Sequence, residues 1–561
     1  MDKKKILCIL SFILVIVLAV WLRVLYVDAA LWYDEACSWV TAKKDFPFGI
    51  IQNLMTVDLQ HTPLYFFLLH FWMKLFGEGE VSIRILSLIF AILAVPLSFG
   101  VARKLMSQTL ALIVSAVIAV NPLLVYFSPE VRMYPMVLFL VLLSFNYFID
   151  FDKKHDKKSL IKLVIVNVLI PYTFVGGILY NISVALSYAV YLTVNKYKER
   201  ILLYLKGLGV EICLLIPYWL LIFYYANLRS HFIVKHEGQL YFAHIVDVIR
   251  NFFGVTLVNN LYWPSVDTYN ITLLFTIFVI LPCVYFLYGF VQGVRKSDGF
   301  LKVLYSVVIV NFVLFILCAA FQINVFTIRY ILYLLPLIFI LSFVGLEKSL
   351  SSVHLKIFSS IYIISAIIFT INYYPTAKAL RVLAFKSVQI QSNELGLTAD
   401  DILIMPFGAD APYYFRFADT PRVLNFDFHK EARNPYNDKL YDKSQQEKLS
   451  GKDKYNLIFD AVFKDRIFSE NFYNYFVSNV NYTVPSGRYV MMAFYAQDAL
   501  SVVSLEELRT ETTGISDVQN RTIDILLKKF VYDMRFLLST DFEFVNSFKK
   551  DNYTYLLFRK K

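Results

Sequence analysis

Charge is scarce in this chain. Asp, Glu, Lys and Arg together make up 17% of its 561 residues, where a soluble globular protein carries about a quarter. Cysteine is sparser still. Cys8, Cys37, Cys213, Cys283 and Cys318 stand singly, and none follows position 318. That excludes a disulfide scaffold and, in the C-terminal half, any CxxC metal knuckle. There is no internal repeat and no low-complexity tract, so fibrous and repeat architectures are excluded as well. Apolar residues fill the space instead: 58% of the chain is hydrophobic, and the mean hydropathy is +0.57. This is the composition of a polytopic membrane protein.

The net charge of +11 would fit a nucleic-acid partner if it were spread as a basic surface. It is not spread that way. Residues 1–375 carry 29 Lys+Arg against 19 Asp+Glu, and residues 376–561 carry 25 against 24. The surplus lies between the apolar runs, as the positive-inside rule requires. No nucleic-acid partner is expected.

A membrane helix needs about 20 apolar residues. The first run follows Lys3-Lys4-Lys5 and extends to about residue 25. It is longer than a signal-peptide core and further spans follow, so it reads as an uncleaved first helix. Further spans are expected at 81–101, 109–127, 133–149, 201–225, 271–291, 303–321, 330–346 and 357–373. The stretch 160–194 is too long for one helix and divides at Gly176-Gly177, which brings the total to eleven. Segment 62–77 is short and carries His70 and Lys74, so it reads as a helix lying in the outer interface. With the N-terminus inside, the basic clusters at 3–5, 103–104, 153–158, 196–200, 295–302 and 348–356 all fall on the cytoplasmic side. Loops 26–80 and 226–270 then face outward, as does the C-terminal segment.

At about Pro375 the character changes and no span-length apolar run remains. Short β-type runs at 402–405, 457–459, 489–494 and 553–558 alternate with amphipathic stretches at 467–477 and 524–537. Two domains are expected: a transmembrane domain over 1–375 and a soluble extracytoplasmic α/β domain over 376–561.

Four polar clusters stand out against this background, all on the outer side by the derived topology. They are Trp32-Tyr33-Asp34-Glu35; His61-Thr62-Pro63-Leu64-Tyr65 with Arg84; Glu130-Val131-Arg132-Met133-Tyr134; and Arg329-Tyr330. Singly, each also fits an ordinary interface anchor, since Arg, Tyr and Trp gather at membrane surfaces. Together they bring a carboxylate pair, arginines and aromatic rings to one face. That set suits an anionic lipid headgroup held while an acceptor loses a proton.

The order of these motifs resembles the GT-C fold glycosyltransferases, most closely the branch holding protein O-mannosyltransferases and the lipid A aminoarabinose transferase. The resemblance covers about residues 1–375. Many relatives have two prolines where this chain has Thr62-Pro63. The resemblance implies transfer of a sugar from a polyprenyl-phosphate donor to an acceptor hydroxyl on a glycan, lipid or protein, with inversion at the anomeric carbon. It implies Asp34 as general base with Glu35 in support. Arg84, Arg132, Arg329 and Tyr330 would bind the donor phosphate, and His61, Tyr65, Glu130 and Tyr134 would support the site. Glu130-Arg132 fits equally an ion pair that holds two helices.

No cofactor is required by this reading. His236 and His244 with a carboxylate could take a divalent metal, but their spacing is not compact, and a loop covering a lipid or substrate groove fits them better. Cys37 reads as a small packed side chain. Two alternatives stay open. One is a transporter or flippase of lipid-linked or polar solutes, which would place charge at mid-membrane depth; Lys206 and Glu211 are the main such residues. The other is an oligosaccharide ligase or polymerase of the same fold. The composition and the family branch point to a bacterial cytoplasmic membrane.

Overall fold

The computed structural model describes residues 3–25, 27–56, 61–232, 273–320, 328–382, 386–406, 411–414, 416–417, 419–426, 480, 483–494, 540–550 and 553–561. The chain divides into two compact units, Met1–Ala29 with Cys37–Lys378, and Ala30–Ala36 with Ala379–Lys561.

The first unit is helical. Seven of its described helical segments are long and apolar enough to cross a membrane: Ile6–Val24, Glu80–Ala102, Tyr134–Lys154, Val175–Val194, Gly299–Ala320, Ile328–Glu347 and Ser352–Asn372. An eighth is formed if Lys198–Leu214 and Ile216–Tyr225 count as one span, although they meet at 53°. Three of the expected spans are not in this set: 109–127, the first half of 160–194, and 271–291, which corresponds to helix Leu273–Lys296. The segment expected at 109–127 is a 13-residue helix, Gln108–Val120, followed by a separate short helix, Pro122–Phe127. Pro122 lacks the N–H that would continue the ladder, and Asn121 caps the second helix by accepting from Leu124 N at 3.0 Å. Lys157–Thr173 has 17 residues and begins with two lysines. Length and composition therefore do not establish all eleven spans.

The expected break at Gly176-Gly177 is present as a 3₁₀ turn, Val175–Gly177, between helices Lys157–Thr173 and Ile178–Val194. Close packing needs glycine there, because a Cβ on Gly176 would lie 2.6 Å from the Phe174 ring. The span expected at 201–225 is bent instead of straight. Its break falls at Leu215, just before Pro217, and the second half runs on as helix Ile216–Phe232 into the expected loop. The rest of that loop, with His236 and His244, lies outside the described residues.

Loop 26–80, expected to face outward, is built from helices Tyr33–Ala42, Phe48–Thr56 and Pro63–Phe76. The last has 14 residues, about 21 Å of rise, too short to cross a hydrocarbon core of about 30 Å. It buries Tyr65, Phe66, Leu69 and Met73 and leaves Phe71, Leu75 and Phe76 exposed.

The second unit holds a five-stranded sheet of strands β1 (Ile402–Pro406), β2 (Arg422–Phe426), β3 (Tyr489–Phe494), β4 (Phe542–Lys550) and β5 (Tyr553–Lys560), in the order β2-β1-β3-β5-β4. β1 pairs in parallel with both β2 and β3, while β3-β5 and β5-β4 are antiparallel. Its core gathers Val388, Leu403, Met405, Met491, Ala493 and Tyr555. The expected strands at 402–405, 489–494 and 553–558 correspond to β1, β3 and β5. The stretches 457–459, 467–477 and 524–537 lie outside the described residues.

Candidate functional site

Asp34 and Glu35 lie in the first turn of helix Tyr33–Ala42. Trp32 occupies the capping position, since its carbonyl accepts the first helical bond from Ala36 N at 3.0 Å. Glu35, three residues on, is fully buried and accepts from the backbone N–H of Trp32 at 3.2 Å. This is the reciprocal half of a capping box. Asp34 is half-buried, at the end of the helix where backbone N–H groups favour a carboxylate. The approach is tied as well, because Leu31 N donates to the Tyr414 hydroxyl at 2.7 Å within the second unit. The two acids are thus in different situations, which their adjacency in sequence did not reveal.

The first unit holds the other expected residues. Arg84 is completely buried on helix Glu80–Ala102 and donates to the main-chain carbonyls of Val27, at 3.0 Å, and Ala29. It fixes the strand of chain that leads toward Asp34. Arg132 is buried in the tight segment after helix Pro122–Phe127, where its N–H reaches Glu130 O at 2.6 Å. Its Nη1 lies 3.4 Å from His61 Nε2. A guanidinium only donates, so in this contact His61 Nε2 is the acceptor. Ser87 donates to Arg132 O at 3.2 Å and accepts from Tyr65 OH at 2.8 Å. His61, Tyr65, Ser87 and Arg132 therefore form one connected set.

Tyr225, beyond the bend at Leu215, closes this set from the other side. Its hydroxyl lies 2.9 Å from both Leu54 O and His61 O. Neither Ser87 nor Tyr225 was expected in the site. Pro217 marked the bend, but nothing in sequence showed where it would aim Tyr225.

Arg329 and Tyr330 share the short helix Ile328–Ile331, with the guanidinium 5.3 Å from the Tyr330 ring centre. That ring packs 6.2 Å from Tyr134 and 5.4 Å from Phe174. Tyr134 also meets Phe127 edge-on at 6.0 Å. The result is a continuous aromatic wall beside a cation. Glu130, like Arg132, is almost fully buried, which an open polar loop would not produce.

Glu211 is buried on helix Lys198–Leu214, with its two oxygens accepting from Asn167 at 3.1 Å and Asn181 at 2.9 Å. Lys206 points outward. Cys37 is part-buried within helix Tyr33–Ala42. Among the described residues no group of three or more His, Cys, Asp or Glu side chains is arranged to hold a metal ion.

Comparison with solved structures fits this architecture to the GT-C glycosyltransferase fold. ArnT from Cupriavidus metallidurans in the apo state is similar with a TM-score of 0.54 at 10% identity, over 99% of this chain and 98% of that one. The same protein bound to undecaprenyl phosphate gives 0.55 at 10% identity, over 99% and 97%. Residues 60–223 match the sequence profile of the family described as dolichyl-phosphate-mannose-protein mannosyltransferase. No curated protein matches the chain. The protein is a multi-pass membrane protein of the GT-C fold with a C-terminal sheet domain.

Proposed function

We propose that the protein moves a sugar from a polyprenyl-phosphate donor to an acceptor hydroxyl on a glycan, lipid or protein at the outer face of a bacterial cytoplasmic membrane, with its N-terminus inside and the sheet domain outside. The acceptor oxygen forms a bond to the anomeric carbon on the face opposite the phosphate. The carbon–oxygen bond to the phosphate breaks, its electron pair leaves with the lipid phosphate, and the acceptor proton passes to Asp34. Configuration inverts because there is one displacement. Arg132 and Arg329 bind the leaving phosphate, with His61 holding Arg132 and Tyr330 holding Arg329. Arg84 acts through the Val27–Ala29 main chain it grips.

The observation that carries this reading is the division within the acidic pair. Glu35 is buried and engaged by Trp32 N, and Asp34 is the partly accessible carboxylate beside it. A base must accept a proton from outside its own helix, and Asp34 is the one with access. The GT-C fold and the profile match over 60–223 support the reaction class.

Purified protein in lipid nanodiscs, given a labelled polyprenyl-phosphate sugar, tests the reading. Asp34→Asn is expected to lower turnover by about 10²–10⁴-fold, the range for a general base, with membrane insertion and melting temperature unchanged. Full turnover in that variant removes Asp34 from the reaction. In sealed proteoliposomes, movement of labelled donor across the membrane without glycosylated product would replace transfer with transport.

A further inference from the structure

Arg23 is a cation buried where a membrane protein has little to offer it. It lies in the last turn of helix Lys3–Val24, inside a candidate span, and is 2% exposed. Its Nη1 donates to Ala19 O at 3.1 Å and to Ala119 O at 2.6 Å. The second bond explains part of the placement. Helix Gln108–Val120 ends there, before Asn121-Pro122, and the carbonyls of a last turn lack helical partners. Such an end carries about half a negative elementary charge, so it balances the guanidinium only in part.

Two observations remain. Arg23 Nε is buried with no hydrogen-bond partner, and Arg23 makes no ion pair among the described residues. A buried ion without a counter-charge is costly, and structures that keep one supply the missing charge. Arg23 also lines a cavity of about 20 Å³, walled by Ala91, Ala94, Ile118, Phe127 and Leu138. Ser128, the other polar residue at the wall, spends its hydroxyl on Leu124 O at 2.5 Å. The space holds a species of about the size of one water molecule, which is too little for a phosphate group.

We infer that this cavity is a binding site for a single small inorganic anion of the halide class, held by Arg23 at the broken end of helix Gln108–Val120. The anion supplies the charge that the Ala119 carbonyl leaves unbalanced and accepts from Nε. Water fits the space and would accept from Nε, but it brings no charge. The anion closes the junction from which helix Pro122–Phe127 and then Glu130 and Arg132 depart, so its loss loosens that junction. The site stands apart from the proposed transfer reaction and does not depend on it.

The full-length protein in detergent micelles tests this with chloride, gluconate and bromide as probes. At constant ionic strength, replacing gluconate by chloride is expected to raise the melting temperature of the wild type saturably, as for any ligand that binds only the folded state. Arg23→Met is expected to lose that dependence. Crystals grown in bromide are expected to show an anomalous peak within hydrogen-bonding distance of Arg23 Nε. A wild-type melting temperature that is indifferent to chloride overturns the inference, as does a bromide crystal with water alone at Arg23. If Arg23→Met fails to fold, the wild-type titration and the bromide crystal decide the matter by themselves.

Discussion

The carboxylate of Glu35 accepts from the backbone N–H of Trp32 at 3.2 Å, closing the first turn of helix Tyr33–Ala42 on itself. Neighbouring acids thereby separate into one engaged by the backbone and one that the proposed reaction uses as its base. Glu35→Ala is expected to cost about 1 kcal/mol, the usual loss for a helix cap, and to lower the melting temperature. Glu35→Gln keeps an acceptor oxygen and is expected to retain most of that stability. Thermal unfolding of the two variants checks this; equal melting temperatures would mean that the contact with Trp32 contributes nothing.

Arg132 is held by His61 at 3.4 Å, and His61 by Tyr225 through its main-chain carbonyl at 2.9 Å. Loss of the guanidinium should raise the donor KM and lower kcat together, because phosphate charge grows as the bond breaks. Arg132→Gln is expected to lose about 10²-fold or more in kcat/KM, in line with removal of one charge-stabilising donor. Tyr225→Phe removes only the hydroxyl and is expected to raise the donor KM with a smaller change in kcat. Steady-state kinetics at varied donor concentration separates the two patterns. An Arg132→Gln enzyme with unchanged kcat/KM would exclude this arginine from phosphate binding.

Much of the helical unit was legible because lipid imposes a simple rule: long apolar runs with basic ends. The break at Gly176-Gly177 followed from the excess length of 160–194 together with the glycine pair inside it. The break at Asn121-Pro122 was equally written in the sequence, as a turn-forming dipeptide, yet the apolar run across it concealed the signal. Pro217 likewise marked the bend at Leu215. In the second unit, β4 sets Phe542, Phe544 and Phe548 at even spacing, but Val545 and a register shift between Phe544 and Asn546 blur the period of two. At the site, residue types were readable and partners were not. Arg84 gripping Val27 O and Tyr225 reaching Leu54 and His61 are contacts between distant segments, and no local pattern encodes them.

On the side expected to be cytoplasmic, His155 follows helix Tyr134–Lys154 in a left-handed conformation, φ 54°. Burial, and then the charge of Arg200, push its pKa below the ordinary imidazole value, with Asp152 opposing them. The sign follows from linkage. Below about pH 6.5 the unfolded chain binds the proton more readily, so stability falls as pH drops through that value toward the lower folded pKa. Above it the contribution to the slope vanishes. His155→Asn keeps a residue tolerant of left-handed backbone and is expected to flatten the acid side of the stability profile. Melting temperatures from neutral to mildly acidic pH measure it, and parallel curves would dismiss the effect.

Asp401 ties three strands of the C-terminal sheet at one corner. One oxygen accepts from Tyr489 N at 2.7 Å, the other from Thr398 N at 2.7 Å and Arg488 at 2.9 Å, while its carbonyl accepts from Arg422 N at 3.0 Å. The side chain is wholly buried. Asp401→Ala leaves three donors without their acceptor and is expected to cost about 3 kcal/mol, as broken buried pairs do. Limited proteolysis should then cut within residues 379–561 well before the helical unit. A digestion pattern matching the wild type would show that the corner is held by other contacts.

Helices Leu273–Lys296 and Leu335–Glu347 pack backbone to backbone. A Cβ on Gly345 would lie 1.9 Å from Gly289 O and 2.5 Å from Gly293 N. Gly289 and Gly293 are four apart, the spacing that lets membrane helices approach closely. In lipid there is little hydrophobic gain to hold a pair once it is pushed apart, so the fit itself supplies the attraction. Gly345→Ala is expected to cost at least about 1–3 kcal/mol, the range for overpacked sites, and Gly345→Leu to prevent accumulation of folded protein. Gly209 provides the control: it lies on helix Lys198–Leu214 with nothing within 4 Å of a Cβ placed there. Gly209→Ala gains helix propensity and is expected to leave the melting temperature unchanged or slightly higher. The difference between the two alanine variants, measured in the same detergent, isolates the packing contribution from the general cost of replacing glycine. Equal melting temperatures would mean that the two helices can separate by an atomic diameter without loss.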